Sequence, residues 1–382
     1  MKNYGLATVS DFLGDNIVYR NLQPMDPRLP RFAEMSASLG MTTSTTPRKS
    51  EPDYARVMAH LLQRAAALDG SGAGIRHLVY VGDTRLNDGT AFANLCEAGG
   101  WLGIAFIGSE RVEDPVEREI VQKRSQTLYL ANRWSLLDDF HAVCGRRGVS
   151  FGSDTAVILD LDKTTLGARG RNDHVINAAR LEAVRQTVQT LLGSAFDAGE
   201  FETSYNMLNQ TEFHPFTTDN QDYLAYLCLI LGSDLYERQG LVTDIRMGTL
   251  ARFTDFLDAV EARAVELPEG LGRLHDDIYR RVKAGDATPF KAFRFNEFLT
   301  TVGRMGTPRD GADLATRLAE EILLTQEARE AALAWRETGA LLFGLSDKPD
   351  EASVPSAAQA AQGYAPIHRT PTHAVGAGPA GA

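Results

Sequence analysis

Two strand-like runs, Ala156-Val157-Ile158-Leu159 and Leu78-Val79-Tyr80-Val81, constrain the fold of this chain more than any other feature, because each delivers carboxylates to its own C-terminal end. The first runs into Asp160-Leu161-Asp162-Lys163-Thr164, the second into Gly82-Asp83-Thr84-Arg85-Leu86-Asn87-Asp88. In an open α/β sheet, ligands bind outside the carboxyl ends of the strands. If the two runs are neighbours, Asp160, Asp162, Asp83 and Asp88 gather around one divalent cation.

The surrounding pattern supplies such a sheet. Tyr54, Val57, Met58, Leu61, Leu62 and Ala65 recur at helical spacing, with Ser50 as N-cap and Pro52 in the first turn, so Lys49 falls just before a helix N-terminus. A strand at 77–82 follows, then a helix near 88–98, strands near 103–108 and 127–131, and a helix at 134–146. This alternation predicts an α/β fold with a doubly wound, Rossmann-like parallel sheet. Beyond a Gly- and Arg-containing loop at 167–173, the pattern turns almost wholly helical, with helices expected at 176–195, 219–236, 247–265, 271–283, 290–303, 311–324 and 326–337. Gly339-Ala340-Leu341-Leu342-Phe343-Gly344-Leu345 then returns to strand character and ends in Ser346-Asp347-Lys348-Pro349. The expected divisions are an irregular lead-in at 1–44, an α/β core at 45–173 plus 336–352, a helical domain at 174–335, and a disordered Ala-, Gly- and Pro-rich tail at 353–382.

Composition narrows the partners. Fifty acidic against 39 basic residues give a formal charge of -11, which repels nucleic-acid phosphates and anionic membranes and leaves a small, metal-neutralised anion as the natural substrate. Met1-Lys2-Asn3-Tyr4 lacks the apolar core of a signal peptide, and no stretch approaches the roughly 18 apolar residues of a membrane span. A cytoplasmic location is the expectation. Cys96, Cys144 and Cys228 share no zinc-ligand spacing and suggest buried thiols. The Gly70-Ser71-Gly72-Ala73-Gly74 turn precedes a strand instead of opening a helix, so it is no dinucleotide fingerprint.

Chemistry concentrates in the two strand ends. In Asp160-x-Asp162-x-Thr164, one carboxylate can attack phosphorus while the second protonates the leaving oxygen and later activates water. The competing reading is a solvated acidic turn. Gly82 permits a tight turn and Asp83 supplies an oxygen ligand to a hard cation, assisted by Asp88. A hairpin turn is the bland alternative there. Lys49, at a helix N-terminus that favours anions, competes with Lys348 and Lys291 for the place of a phosphate-binding cation. Ser346 is a phosphoryl ligand or an ordinary N-cap. Arg169 and Arg171 follow the Asp160 loop and either reach substrate or lie on the surface. Glu212, His214 and Asp219 read as a packed loop of the helical domain.

These motifs resemble those of the haloacid dehalogenase (HAD) superfamily, whose first motif is D-x-D-x-T and whose fourth is GDxxxxD. Lys49 looks like that family's third motif and Ser346 like its second. The order differs, since the GD strand precedes the D-x-D-x-T strand here. Reading from Asp160 through Ser346, then from the N-terminus through Lys49 to Asp83, restores the family order, as in a circular permutation with new termini between the second and third motifs. The resemblance implies an Mg²⁺-dependent phosphatase acting on a small phosphorylated metabolite, a sugar phosphate or a nucleoside monophosphate. It implies Asp160 as nucleophile forming an aspartyl-phosphate and Asp162 as general acid and base. Mg²⁺ would be held by Asp160, the Asp162 carbonyl and Asp83 with help from Asp88; Lys49 and Ser346 would bind the phosphoryl oxygens; Thr164 would orient the loop; and residues 174–335 would form a cap. A phosphomutase with the same intermediate and a non-catalytic phosphoryl-binding scaffold are the alternatives.

Overall fold

A computed structural model describes residues 1–41, 46–70, 74–218, 220–306 and 311–377. The chain divides into two compact units, residues 1–178 together with 301–382, and residues 179–300.

Among the described residues, the first unit carries ten strands: β1 (Lys2–Ala7), β2 (Ile17–Val18), β3 (His77–Gly82), β4 (Leu102–Gly108), β5 (Arg118–Lys123), β6 (Gln126–Ala131), β7 (Thr155–Asp160), β8 (Leu324–Thr325), β9 (Leu341–Leu345) and β10 (Thr372–Gly376). Seven of them form one sheet in the order β2-β9-β7-β3-β4-β6-β5, parallel throughout except for the β5–β6 hairpin. β7 lies inside this sheet and every one of its residues is buried. That burial explains its unbroken apolar run, because a parallel strand covered on both faces has no polar face to alternate with. Helix Pro52–Leu68 packs Tyr54, Met58, Leu61 and Leu62 into a cluster with Leu78, Tyr80, Ile158 and Phe343 of the sheet. The N-cap of this helix is Glu51, one residue later than expected, with Pro52 at the first helical position where its missing N–H costs nothing. The Glu51 carboxylate instead accepts the Arg48 amide at 3.1 Å.

Among the described residues the regular elements of the second unit are all helices, including Ala198–Leu208, Gln221–Leu231, Arg238–Met247, Phe253–Glu261, Glu269–Lys283 and most of Lys291–Val302. Its core is built on Phe201, Leu227, Phe256, Leu257 and Ile278. Within it, Arg294 bonds the buried carboxylates of Asp222 at 2.7 Å and Glu297 at 2.6 Å. Lys291 bonds Thr288 and Asp286 of the same unit. Glu212 is exposed and pairs with Arg246, His214 opens a single helical turn, and Asp219 lies outside the described residues. No helix among the described residues is long and apolar enough to cross a membrane.

Three sequence expectations change. Residues 353–377 of the tail are ordered, and the correction has a physical cause: β10 inserts between β1 and β8 in a three-stranded sheet, antiparallel to the former and parallel to the latter. Buried Glu321 accepts from the Thr372 hydroxyl and the His373 amide, and Glu327 accepts from the Ala377 amide, so pairing and hydrogen bonding supply what composition lacked. The lead-in at 1–44 contributes β1 and β2 to the two sheets. Residues 301–335 belong to the sheet unit, because β8 pairs with β10 and Leu324 bridges Leu166.

Candidate active site

Register brings the carboxylates together. Leu159 on β7 pairs with Val81 on β3, and Asp160 pairs with Leu345 on β9. Asp160, Asp83 and Ser346 therefore leave the sheet at one edge, on three adjacent parallel strands. Gly82 is required by packing: a Cβ there would sit 2.6 Å from Asp88 Cγ. The absent side chain lets Asp88 fold back over the turn, where its Oδ2 accepts the Asp83 amide at 3.0 Å, the Thr84 amide at 2.9 Å and the Thr84 hydroxyl at 3.0 Å.

After Asp160 the chain coils tightly. The Thr165 amide and hydroxyl both donate to the Asp160 carbonyl, at 3.2 and 2.7 Å, and Leu166 N–H returns to the Leu161 carbonyl. Lys163 takes a left-handed conformation, φ 63°, which is uncommon for a side-chain-bearing residue and is held here by its own hydrogen bonds to Leu166 and Arg169. From behind, the Thr325 hydroxyl at β8 donates to the Thr164 carbonyl at 2.5 Å.

The side chains form one network. Lys49 Nζ donates to Asp160 Oδ1 at 2.5 Å and to Asp88 Oδ1 at 2.7 Å, and lies 5.7 Å from the centre of the Tyr80 ring. The Thr164 hydroxyl holds Asp160 Oδ2 at 3.0 Å, the Tyr80 hydroxyl donates to Asp88 Oδ1 at 3.1 Å, and Arg169 Nε donates to Asp83 Oδ2. Ligand atoms of Asp83, Asp88 and Asp160 all lie within 4.8 Å of one another.

Three carboxylates thus face two cations. Burial raises the Asp83 carboxyl to about 7, reinforced by the Asp88 charge and opposed by Arg169. Burial also pushes Asp160 well above the usual carboxylate range, against the pull of Lys49 and with the push of Asp88 and Asp83. For Asp88 burial acts in the same direction but is outweighed by Lys49 and the turn donors, so its carboxyl is held low. Lys49 loses from burial and gains more from Asp160 and Asp88, which keeps it charged. Asp83 and Asp160 are thus the two carboxyls whose ionised form the protein compensates least, and a hard cation beside them would favour that form.

Not every expected residue joins the cluster. Asp162 is half-buried, and among the described residues neither its carboxylate nor its carbonyl has a hydrogen-bond partner. Ser346 is buried at the edge, accepting the Lys348 amide at 3.0 Å, with no acceptor for its own O–H among the described residues. Lys348 Nζ turns to the Thr301 hydroxyl, so of the three candidate lysines it is Lys49 that bonds Asp160. Arg171 is a correction: its guanidinium is buried between Glu110 and Glu327, at 2.7 and 2.8 Å, and donates to the Val375 carbonyl, so it clamps β10 instead of reaching a substrate. Sequence reasoning missed Tyr80 and Thr84. Their only signal was an aromatic residue one strand repeat before Gly82 and a hydroxyl directly after Asp83.

The carboxylates form an oxygen-donor set of the kind a hard divalent cation uses. Asp83 and Asp160 offer hard carboxylate oxygens, each facing a single cation, and the Asp162 carbonyl is a third oxygen without a donor. Asp88 fits less well as a direct ligand, since five donors already occupy its two oxygens, and it serves to fix the turn that presents Asp83. No protein-family model, curated protein or solved structure matches this chain.

Proposed function

We propose that this protein is a phosphatase that hydrolyses a small phosphate monoester through an aspartyl-phosphate on Asp160. The observation that carries the reading is the central strand β7, which ends in a buried carboxylate bonded by both Lys49 and Thr164 and flanked by the Asp83 and Ser346 strand ends.

One Asp160 oxygen attacks phosphorus, the phosphorus–oxygen ester bond breaks, and the departing oxygen takes a proton from Asp162. Asp162 then removes a proton from water, water attacks the same phosphorus, and the bond to Asp160 breaks, releasing phosphate and restoring the carboxylate. Lys49 compensates charge where carboxylate and phosphoryl oxygens meet, and the Ser346 O–H donates to a phosphoryl oxygen. Mg²⁺, held by Asp83, Asp160 and the Asp162 carbonyl, would supply charge neutralisation on the phosphoryl group. Asp88 and Gly82 act through the shape of the Asp83 turn.

The same arrangement supports membership of a circularly permuted HAD-like fold. The first-motif strand β7 lies between the second-motif strand β9 and the fourth-motif strand β3, and β1 pairs with β10, the closeness of chain ends that permutation requires. The all-helical unit at 179–300 is the segment we assign as cap.

The test is release of inorganic phosphate from a panel of monoesters with and without Mg²⁺. Asp160→Asn should abolish turnover, and Asp162→Asn should lower it about 10²–10⁴-fold. A wild type as inert as Asp160→Asn across the panel sinks the reading, and phosphoryl transfer without free phosphate would convert it to a mutase.

A further inference from the structure

Asp83 belongs to two places at once. Besides facing Asp88 and Asp160, it lines a cavity of about 650 Å³ whose floor is the carboxyl ends of β4 and β6, at Gly108, Ser109 and Asn132. That volume falls in the range of small-molecule sites. Arg85, in the turn that Asp88 caps, lines the same cavity, as do Arg111 and Val116.

The loop bearing Arg111 is built in place. Asn132 accepts the Glu117 amide at 2.8 Å and donates to the Pro115 carbonyl at 2.6 Å. The Arg133 guanidinium donates to the backbone carbonyls of Arg111, Val112 and Asp114, so one half-buried cation holds three points of the loop. Arg85 and Arg111 are left over. Among the described residues neither guanidinium has an ion-pair or hydrogen-bond partner, although acidic side chains outnumber basic ones in the chain. Arg118, the third arginine at the cavity, is paired with Asp139 at 3.1 Å, and the exposed Glu117 and Glu119 line the β5 side.

We infer that this cavity receives the alcohol portion of the substrate and that Arg85 and Arg111 bind a second anionic group on it. The substrate class is therefore a phosphate monoester carrying a second phosphate or a carboxylate. The inference rests on the phosphatase reading for the position of the first phosphoryl group, beside Asp83 and Asp160. Forked guanidinium donors match phosphate and carboxylate oxygens, and Glu117 and Glu119 on the β5 side disfavour an additional anion there, which selects for a substrate with its second charge at the Arg85 and Arg111 walls. Val116 offers an apolar contact for the connecting carbons.

Two readouts keep this claim separable from the phosphatase reading. The first is calorimetric binding of 1,3-propanediol bisphosphate and of 3-phosphooxypropanoate, with Mg²⁺, to Asp160→Asn protein and to the same protein bearing Arg85→Gln and Arg111→Gln. The expected loss is about tenfold or more per arginine for the probe with the right second anion, and the more strongly affected probe identifies phosphate or carboxylate. The second is kcat/KM in the Asp160 background for these esters and for p-nitrophenyl phosphate, which has no second anion. The double arginine variant should lose about 10²-fold on the matching dianionic ester and less than about twofold on p-nitrophenyl phosphate. Both arginines are exposed, so these substitutions leave the fold intact. Failure of the wild type to release phosphate from any ester sinks the phosphatase reading alone. Binding that is absent for both probes, or unchanged by the arginine substitutions, overturns the second-anion site whatever the activity.

Discussion

Replacing Lys49 with methionine should reveal how the carboxylate cluster is held together. Lys49 Nζ lies 2.5 Å from Asp160 and 2.7 Å from Asp88, and all three side chains are almost fully buried. At an effective dielectric of 20, each contact is worth about 6 kcal/mol of gross attraction. Desolvation of the three ions, several kcal/mol each, cancels most of that in the intact cluster. Lys49→Met keeps the aliphatic stem but strands two carboxylates in a low-dielectric site, and removing one partner of such a pair costs about 3–5 kcal/mol. For a unit of this size that is a fall of about 6–20 °C in unfolding temperature. Tryptophan fluorescence is a suitable assay, since Trp101, Trp134 and Trp335 are all buried in the sheet unit and the helical unit contains none. Measured in EDTA, the double variant with Asp160→Asn should lose less than the two single losses added, with a coupling of about 1–3 kcal/mol, because one stranded charge is gone. A Lys49→Met protein within about 0.5 kcal/mol of wild type, or strictly additive losses, would refute the argument that this lysine neutralises both carboxylates.

Mg²⁺ at a hundred times its dissociation constant should stabilise the wild type by about 2.7 kcal/mol, and Asp83→Asn should lose most of that gain when the same fluorescence melt is repeated with and without the ion. Arg294→Met in the helical unit, which leaves Asp222 and Glu297 buried without their cation, should cost about 3–5 kcal/mol by urea denaturation followed by far-UV circular dichroism. Acid should loosen the segment around β10. His368, faced by Tyr19, Asp15 and Arg369, is held below its ordinary range by burial against the pull of Asp15. The unfolded chain therefore binds the extra proton first, so this stability is present above about pH 6.5 and declines as pH falls through the folded value. Asp15, held low chiefly by its Arg369 hydrogen bond, adds a second loss below about pH 4. Protection of the amides at residues 372–376, taken relative to the intrinsic exchange rate at each pH, should fall between pH 7 and 5, and His368→Phe should flatten that window.

Local signals carried the parts of the fold that local sequence determines. The β3 and β7 runs are strands because both faces are covered, and composition alone displays that. Lys49 was legible from Pro52 and the apolar repeat behind it, with a one-residue error at the cap. β5 was not, since Arg-Glu-Ile-Val-Gln-Lys is an exposed edge strand that depends on its hairpin partner β6. β10 was read as disordered because the tail around it is rich in Ala, Gly and Pro. Its order comes from β1, and the Tyr4 hydroxyl bonds the Ala377 carbonyl across 373 residues of sequence. Arg171 misled for the same reason: its partners Glu110 and Glu327 are 61 and 156 residues away.

The pairing of β10 with β8 and β1 also has a temporal side. Thr325 on β8 buttresses the loop after Asp160, and Arg171 in that loop bonds β10. At about 5–20 residues per second, a ribosome adds residue 372 roughly 10–40 s after Asp160. Until residue 345 is made, β7 has β3 beside it but not β9, and its free edge and apolar faces must be shielded by other means. The chain is therefore obliged to complete the strands that support its carboxylate cluster late in synthesis.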